Sequence, residues 1–384
     1  MTNEIVDILD ALIGVPTTHN HPVTGIASLL ARRAEDAGAH VEIIESSPGK
    51  QNVIARFGPR GTDGLVISGH MDVVPTDGQP WTSDPYALTE RGGLLYGRGT
   101  ADMKGFIATI TALLPQLPVA DFKRELVLIW THDEEIGCVG SGRLATSYTD
   151  PLPSQAWIGE PTGFLPCRMH PGHTTISIRC TGRAAHSSKP GLGFNAIHVA
   201  SRVVAQLETL ASTWRSQNRF SEHLDSPFTV MNIGQINGGT AVNIVPDQCT
   251  IRVGLRPLPG DQAIERVAEI TDCLNAVRQH ARFGGGEIAI DVDQIAPALL
   301  TPSGTALERA LCAHSPHSEA TGVPFATDGG NFQEMGIASL VFGPGAIDVA
   351  HKADEHIDPK ELVQCGRVAA DLIHRFCVTS SPDA

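Results

Sequence analysis

The sequence predicts an α/β protein in which a second domain is inserted into the first. Three observations carry this. The 384 residues exceed what most single cores hold. Short apolar runs alternate with helical patterns up to about residue 172 and again from about residue 295, the rhythm of a mixed sheet between helices. Between them the order changes to strand, helix, two strands, helix, strand, which is that of a split βαβ, ferredoxin-like (βαββαβ) unit. The expected domains are therefore 1–172 with 295–384, and an inserted 173–294.

Each element has its own pattern. Ile5, Val6, Leu9, Leu12 and Ile13, then Ile26, Leu29, Leu30 and Ala34, recur at helical spacing. Residues 40–44, 52–57, 64–68, 125–131 and 155–158 are apolar runs bounded by turn residues and read as buried strands. Residues 103–114 read as a helix with Phe106, Ile107 and Ile110 on one side. In the insertion, 174–180, 228–236, 250–255 and 287–292 are strand-like, while 195–210 and 263–279 are helical. Residues 306–313, 338–342 and 362–376 restore the first rhythm as helix, strand and closing helix.

Composition narrows the function. The 42 acidic residues against 28 Lys and Arg give a net charge of −14, which repels phosphate backbones and anionic lipid, so nucleic acid and membrane are not expected partners. The acidic start Met-Thr-Asn-Glu-Ile-Val-Asp lacks the basic residues of a signal peptide, and the cytoplasm is the expected location. The eight cysteines form no C-x-x-C pair and read as small buried hydrophobes, so any metal must be held by His and carboxylates. Gly97-Arg98-Gly99 begins like a dinucleotide loop, but Asp102 occupies the third glycine position, and there is no P-loop. Ser141 in Val139-Gly140-Ser141-Gly142 lacks the first glycine of a nucleophile elbow.

What remains is a dispersed set of His, Asp and Glu at predicted strand ends, where open α/β sheets build their sites. His70 and Asp72 follow one buried strand. They fit a metal ligand with its orienting carboxylate, but taken alone the pair reads first as a structural His–Asp contact. Asp102 precedes a helix and suits either a cap or a bridge between two cations. In Thr131-His132-Asp133-Glu134-Glu135 three acids in a row call for neutralisation or for solvent, and adjacent carboxylates can divide into ligand and base. Glu160 and His351 end two further segments. Together these make five candidate ligands without Cys, a set suited to zinc, cobalt or manganese, with Glu134 left over.

These motifs, in this order, resemble the di-zinc aminoacylase/carboxypeptidase family of metallohydrolases over nearly the whole chain. The likeness is carried by Gly99-Thr100-Ala101-Asp102-Met103-Lys104-Gly105-Phe106, Gly159-Glu160-Pro161-Thr162, Pro171-Gly172-His173 and Ala350-His351-Lys352-Ala353-Asp354-Glu355. It implies a di-zinc exopeptidase-like catalytic domain carrying an inserted lid or dimerisation domain, and two divalent metals, zinc first and cobalt as an alternative. His70, Asp102 and Glu160 would hold one ion, and Asp102, Glu135 and His351 the other, with a cis peptide after Asp102. Asp72 would orient His70, and Glu134 would be the general base on a metal-bridging water. His186, in Gly182-Arg183-Ala184-Ala185-His186-Ser187, would donate to the oxyanion, from the partner subunit in homodimeric members. Asn243 and Arg256 would bind the substrate α-carboxylate, Arg256 in bidentate fashion, with Arg252 a nearby competitor. Asp328 and Gly329 would line the substrate pocket, Asp328 facing a cationic side chain. In His170-Pro171-Gly172-His173 a proline stands where the family pattern has lysine.

The expected activity is hydrolysis of an N-acyl amino acid. N-acetyl-L-ornithine, giving L-ornithine and acetate in arginine biosynthesis, is the leading substrate. Succinyl-diaminopimelate, other N-acyl amino acids and short peptides are the alternatives, since the same metal set serves them all. A homodimer through the inserted domain is expected, with exposed sheet edges or helices pairing. A binding protein that has lost catalysis on this scaffold would lack a ligand or the base, and here all are present.

Overall fold

The computed structural model describes residues 2–217, 219 and 223–380. It divides into two compact units: Met1–Met169 with Leu299–Gly322 and Thr327–Ala384, and His170–Ala298 with Val323–Ala326.

In the first unit the sheet runs in the order His40–Ser47, Lys50–Phe57, Glu125–Thr131, Gly64–His70, Gln155–Ile158, Ala338–Val341. The first two pairings are antiparallel, and from Glu125–Thr131 to Ala338–Val341 the strands are parallel. Alternation along each strand sends side chains to two separate cores. Val53, Ala55, Leu65, Ile67, Leu126, Leu128 and Trp157 face one, which the helices Thr2–Ile13, Thr24–Asp36, Lys104–Leu113 and Pro359–Ile373 cover. Ile54, Val66, Val127, Ile129, Ala156 and Ile158 face the other, with Leu144 and Phe332 from the helices Val139–Ser147 and Gly329–Glu334. Burial on both faces explains why these strands read as continuous apolar runs.

The second unit has an antiparallel sheet in the order Val230–Gly238, Gln248–Arg256, His173–Thr181, Glu287–Ala296. Here burial alternates: Ile176, Ile178, Cys180, Ile251, Val253 and Leu255 meet Val199, Val203, Leu207 and Ile270 of the helices, and intervening residues stay accessible. The helix expected over 263–279 is two helices, Ala263–Cys273 and Asn275–Phe283, which meet at Leu274. Leu274 is buried in this core and remains αR, so the pattern of apolar residues continues across the break.

Among the described residues no helix is long and apolar enough to cross a membrane. All eight cysteines are free thiols, six of them buried.

Candidate metal centre

The parallel strands end together, and their ends carry the site. His70 is the last residue of Gly64–His70, Glu134 and Glu135 follow Glu125–Thr131, and Glu160 follows Gln155–Ile158. Asp102 arrives just before the helix Lys104–Leu113, after a Gly-rich turn and with the cis peptide Asp102–Met103. His351 arrives on the loop after Ala338–Val341, in the left-handed region at φ 60°. Gly159 brings Glu160 in close: a Cβ there would lie 2.2 Å from the Phe106 ring.

The side chains converge. His70 Nε2 lies 3.0 Å from Asp102 Oδ1 and 3.9 Å from Glu160 Oε1. His351 Nε2 lies 2.8 Å from Glu135 Oε2 and 3.3 Å from Asp102 Oδ2. Asp102 thus faces one imidazole with each oxygen, as a bridging carboxylate would. Ligand atoms of His70, Asp102 and Glu135, and of His70, Glu134 and Glu160, fall within 4.8 Å of one another. Proximity alone therefore does not separate Glu134 from the ligands.

The electrostatics fit a cation. Burial, then the charge of Glu160, pushes Glu134 well above the usual carboxylate range. Burial and the Asp102 charge do the same to Glu160, and raise Glu135 to about 7. Burial also disfavours ionised Asp102, but hydrogen bonds from His351 and His70 outweigh it and hold that carboxyl below the usual range. His351 is raised to about 10 by its hydrogen bonds to Asp102 and Glu135. Four carboxylates and the His70 imidazole are thus crowded where their charges are poorly hydrated, with the half-exposed His351 beside them. Divalent cations would relieve that repulsion, and this nitrogen and oxygen donor set suits them.

Asp72 acts differently from the expectation. The strand ends at His70, so the two-residue alternation does not extend to Asp72. Its backbone oxygen, not its carboxylate, sits 2.9 Å from His70 Nδ1, while the carboxylate is 3.7 Å away. A carbonyl only accepts, so Nδ1 carries a proton and Nε2 is turned to the cluster. The Asp72 carboxylate instead accepts from the N–H groups of Glu134 and Glu135 at 3.0 and 3.1 Å, fixing the loop of both.

Asp328 has partners within the fold. It is buried, with Oδ1 accepting from Ser141 Oγ at 2.5 Å and Oδ2 from Thr131 Oγ1 at 2.6 Å, so its oxygens are already engaged. Gly329 is buried behind it, its N–H bonded to Thr327 Oγ1. The sequence offers Ser141 only as a failed nucleophile and does not single out Thr131; the folded contact reveals both as supports of Asp328. Glu355 lies in the same motif as His351, and its role too emerges only from folded contacts.

His186 and Asn243 come together in the second unit. Ala185–His186 pairs with Ile244–Val245, and Ser187 N–H donates to Asn243 O. Both side chains are exposed. Ser188 N–H donates to His186 Nδ1 at 3.1 Å, which leaves the ring proton on Nε2 as an outward donor. Arg256 does not join them. It ends Gln248–Arg256, whose first residue pairs with Thr181 near the His186 hairpin and whose last pairings are with Thr174 and Val230. At ~3.3 Å per residue the strand separates Gln248, its end nearest the hairpin, from Arg256 by roughly 25 Å. One chain cannot close both on a single carboxylate. Arg256 instead lines a cavity of about 190 Å³ with Pro171, Leu224, Asp225, Ser226, Phe228, Val230 and Pro324.

The model of peptidase family M20/M25/M40 matches residues 66–375. The chain is 34% identical to acetylornithine deacetylase of Edwardsiella ictaluri, covering 92% of this chain and 91% of the relative. It is 35% identical to acetylornithine deacetylase of Photorhabdus laumondii, over 93% and 91%. Among solved structures it resembles a tripeptidase from Staphylococcus aureus, with TM-score 0.74, 19% identity and coverage of 97% and 98%. An M20 family metallo-carboxypeptidase from Sulfolobus solfataricus gives 0.73 at 16% identity, over 96% and 98%. The chain belongs to peptidase family M20/M25/M40 and is a metal-dependent amidohydrolase.

Proposed function

We propose that this protein hydrolyses the amide bond of an N-acyl amino acid, with N-acetyl-L-ornithine as substrate and L-ornithine and acetate as products, a step of arginine biosynthesis in the cytoplasm. The observation that carries this is the convergence of His70, Asp102, Glu134, Glu135, Glu160 and His351 at the ends of the parallel strands, in a chain similar to acetylornithine deacetylases over most of its length.

In this reading His70, Asp102 and Glu160 hold one divalent metal and Asp102, Glu135 and His351 the other, zinc being the expected ion and cobalt a substitute. When bound, the pair of ions polarises the acyl carbonyl and makes water a nucleophile at neutral pH. Glu134, held by its N–H on Asp72, takes the proton of the attacking water and delivers it to the leaving amine. His186 Nε2–H donates to the oxyanion, and Arg256 binds the α-carboxylate. Because His186 and Asn243 stand at the opposite end of the sheet from Arg256, we assign them to the site of a second copy. The active form is then a homodimer joined through the second unit, which also acts as the lid.

The test is amine release from N-acetyl-L-ornithine by zinc- or cobalt-reconstituted protein, against a chelated control and against N-succinyl-diaminopimelate and N-acetyl-methionine. Fast, chelator-sensitive turnover of acetylornithine alone is expected. No turnover of any of them with both metals bound would overturn the proposal. A second reading, an uncharged N-acyl amino acid, draws on one observation: Asp328 is committed to hydroxyls. Preference for N-acetyl-methionine would favour it.

A further inference from the structure

Glu355 belongs to none of the roles above, yet it is among the most fully bonded carboxylates in the first unit. It is 1% exposed. Its Oε1 accepts the N–H groups of Gly99, Ala101 and Asp102 at 3.0, 2.9 and 3.0 Å. Its Oε2 accepts from Arg98 Nη1 at 2.6 Å, and its backbone oxygen accepts Gly97 N–H. One residue of the His351 loop thus binds nearly the whole turn that carries Asp102.

The contacts extend to His351 itself. Arg98 also reaches Lys352 O at 3.3 Å and Gln79 Oε1 at 2.6 Å, and Gln79 Nε2 donates to His351 O at 3.0 Å. Glu355, Arg98 and Gln79 form a clasp across two loops. It matters because the two imidazoles are held unequally. His70 ends a buried strand, is 1% exposed and has Nδ1 on Asp72 O. The His351 side chain is 51% exposed, so core packing does not fix it, and its place depends on how its loop is tied down.

We propose that Glu355 is a positioning residue for the metal position shared by Asp102, Glu135 and His351. It holds the two loops at ligand distance and so sets the affinity of that position for its cation without touching it. This rests on the reading that the cluster takes two divalent ions. Outer contacts of this kind typically change metal affinity by about 10- to 100-fold.

The experiment is calorimetric titration of metal-free protein with zinc, and with cobalt followed by its visible absorption. Wild type takes up two ions. Glu355→Gln keeps one oxygen and loses either the three N–H groups or Arg98, so the expected result is one affinity weakened at least about 10-fold and the other, which shares only Asp102 with the clasp, weakened less. Two affinities within about twofold of wild type would overturn the inference while leaving the two-metal reading intact. A wild-type protein that binds fewer than two ions would overturn that reading, and the inference with it. Removing a partner from a buried ion pair can prevent folding. In that event Gln79→Leu, which leaves Glu355 and Arg98 paired, decides on the same readout. A selective weakening of one ion by about threefold supports the clasp, and unchanged affinities overturn it.

Discussion

The two units bury their sheets differently, and the chemistry follows that difference. Gly64–His70 and Glu125–Thr131 are buried along their whole length, whereas His173–Thr181 alternates buried and accessible residues. In the first unit His70, Glu134, Glu135 and Glu160 sit at or just beyond the ends of strands buried on both faces, which positions them before anything binds. In the second unit His186 and Asn243 sit on an exposed hairpin, held by local hydrogen bonds. Substitutions that remove buried contacts around the cluster in the first unit should therefore disturb folding and chemistry together. Those on the exposed hairpin should disturb chemistry alone.

The largest effect is expected from Glu134→Gln, which removes the proposed base while keeping the shape. Turnover should fall by about 10²- to 10⁴-fold with two metals still bound, measured as amine release alongside metal content. Retained turnover would move the base elsewhere and leave Glu134 among the ligands, where its distance to His70 and Glu160 also allows it.

His186→Ala should lower turnover by about 10²-fold or more with no change in melting temperature, because the side chain is exposed. The comparison can be sharpened by mixing. If His186 serves the site of a second copy, a dimer of one Glu134→Gln chain and one His186→Ala chain carries one site with both groups intact. Two inactive proteins would then regain activity on subunit exchange. No recovery, with exchange shown by mixed-tag capture, would place His186 in the site of its own chain.

A third effect is on stability. Burial, then the charge of Arg256, lowers His170 from the ordinary value to about 4. Between pH 6.5 and 4 the unfolded chain takes up a proton that the folded chain refuses, so this group's stabilisation is complete above 6.5 and is lost as pH falls toward 4. The loss is roughly 3 kcal/mol at pH 4. His170→Asn should lack it, giving a shallower fall of stability across that window in denaturant titrations. Parallel curves for the two proteins would show that His170 titrates as in water.

Much of this organisation is legible in the sequence, and what is hidden has physical causes. Strands such as Glu125–Thr131 and Gln155–Ile158 are continuous apolar runs because both faces are buried, and their bounds can be read from composition. The helices Val139–Ser147 and Gly329–Glu334 are not anticipated, because Gly140, Gly142, Gly329 and Gly330 suppress local helical preference. Packing requires some of them: a Cβ on Gly140 would lie 2.4 Å from His132 O. The ligand candidates are visible because His and acids at strand ends are conspicuous. The supports are not, since Thr131, Ser141, Gln79 and Glu355 acquire their roles only from contacts far away in the chain.

Asp328 gives the smallest expected effect and tests the contrast most directly. Read from the sequence, a carboxylate in that loop should meet a cationic substrate side chain. In the structure both its oxygens are occupied by hydroxyls of Thr131 and Ser141, inside the first unit. Asparagine keeps one acceptor, and its amide can donate to a hydroxyl that turns to accept, so Asp328→Asn should cost only about 1 kcal/mol of stability. If substrate selectivity is written elsewhere, the ratio of kcat/KM for N-acetyl-ornithine over N-acetyl-norvaline should change by less than about twofold, since no desolvated ion pair is lost. A fall of ten-fold or more would correspond to about 1.4 kcal/mol of discrimination. It would show that the substrate reaches Asp328 after all, and that this buried carboxylate exchanges its hydroxyl partners for an ammonium during binding.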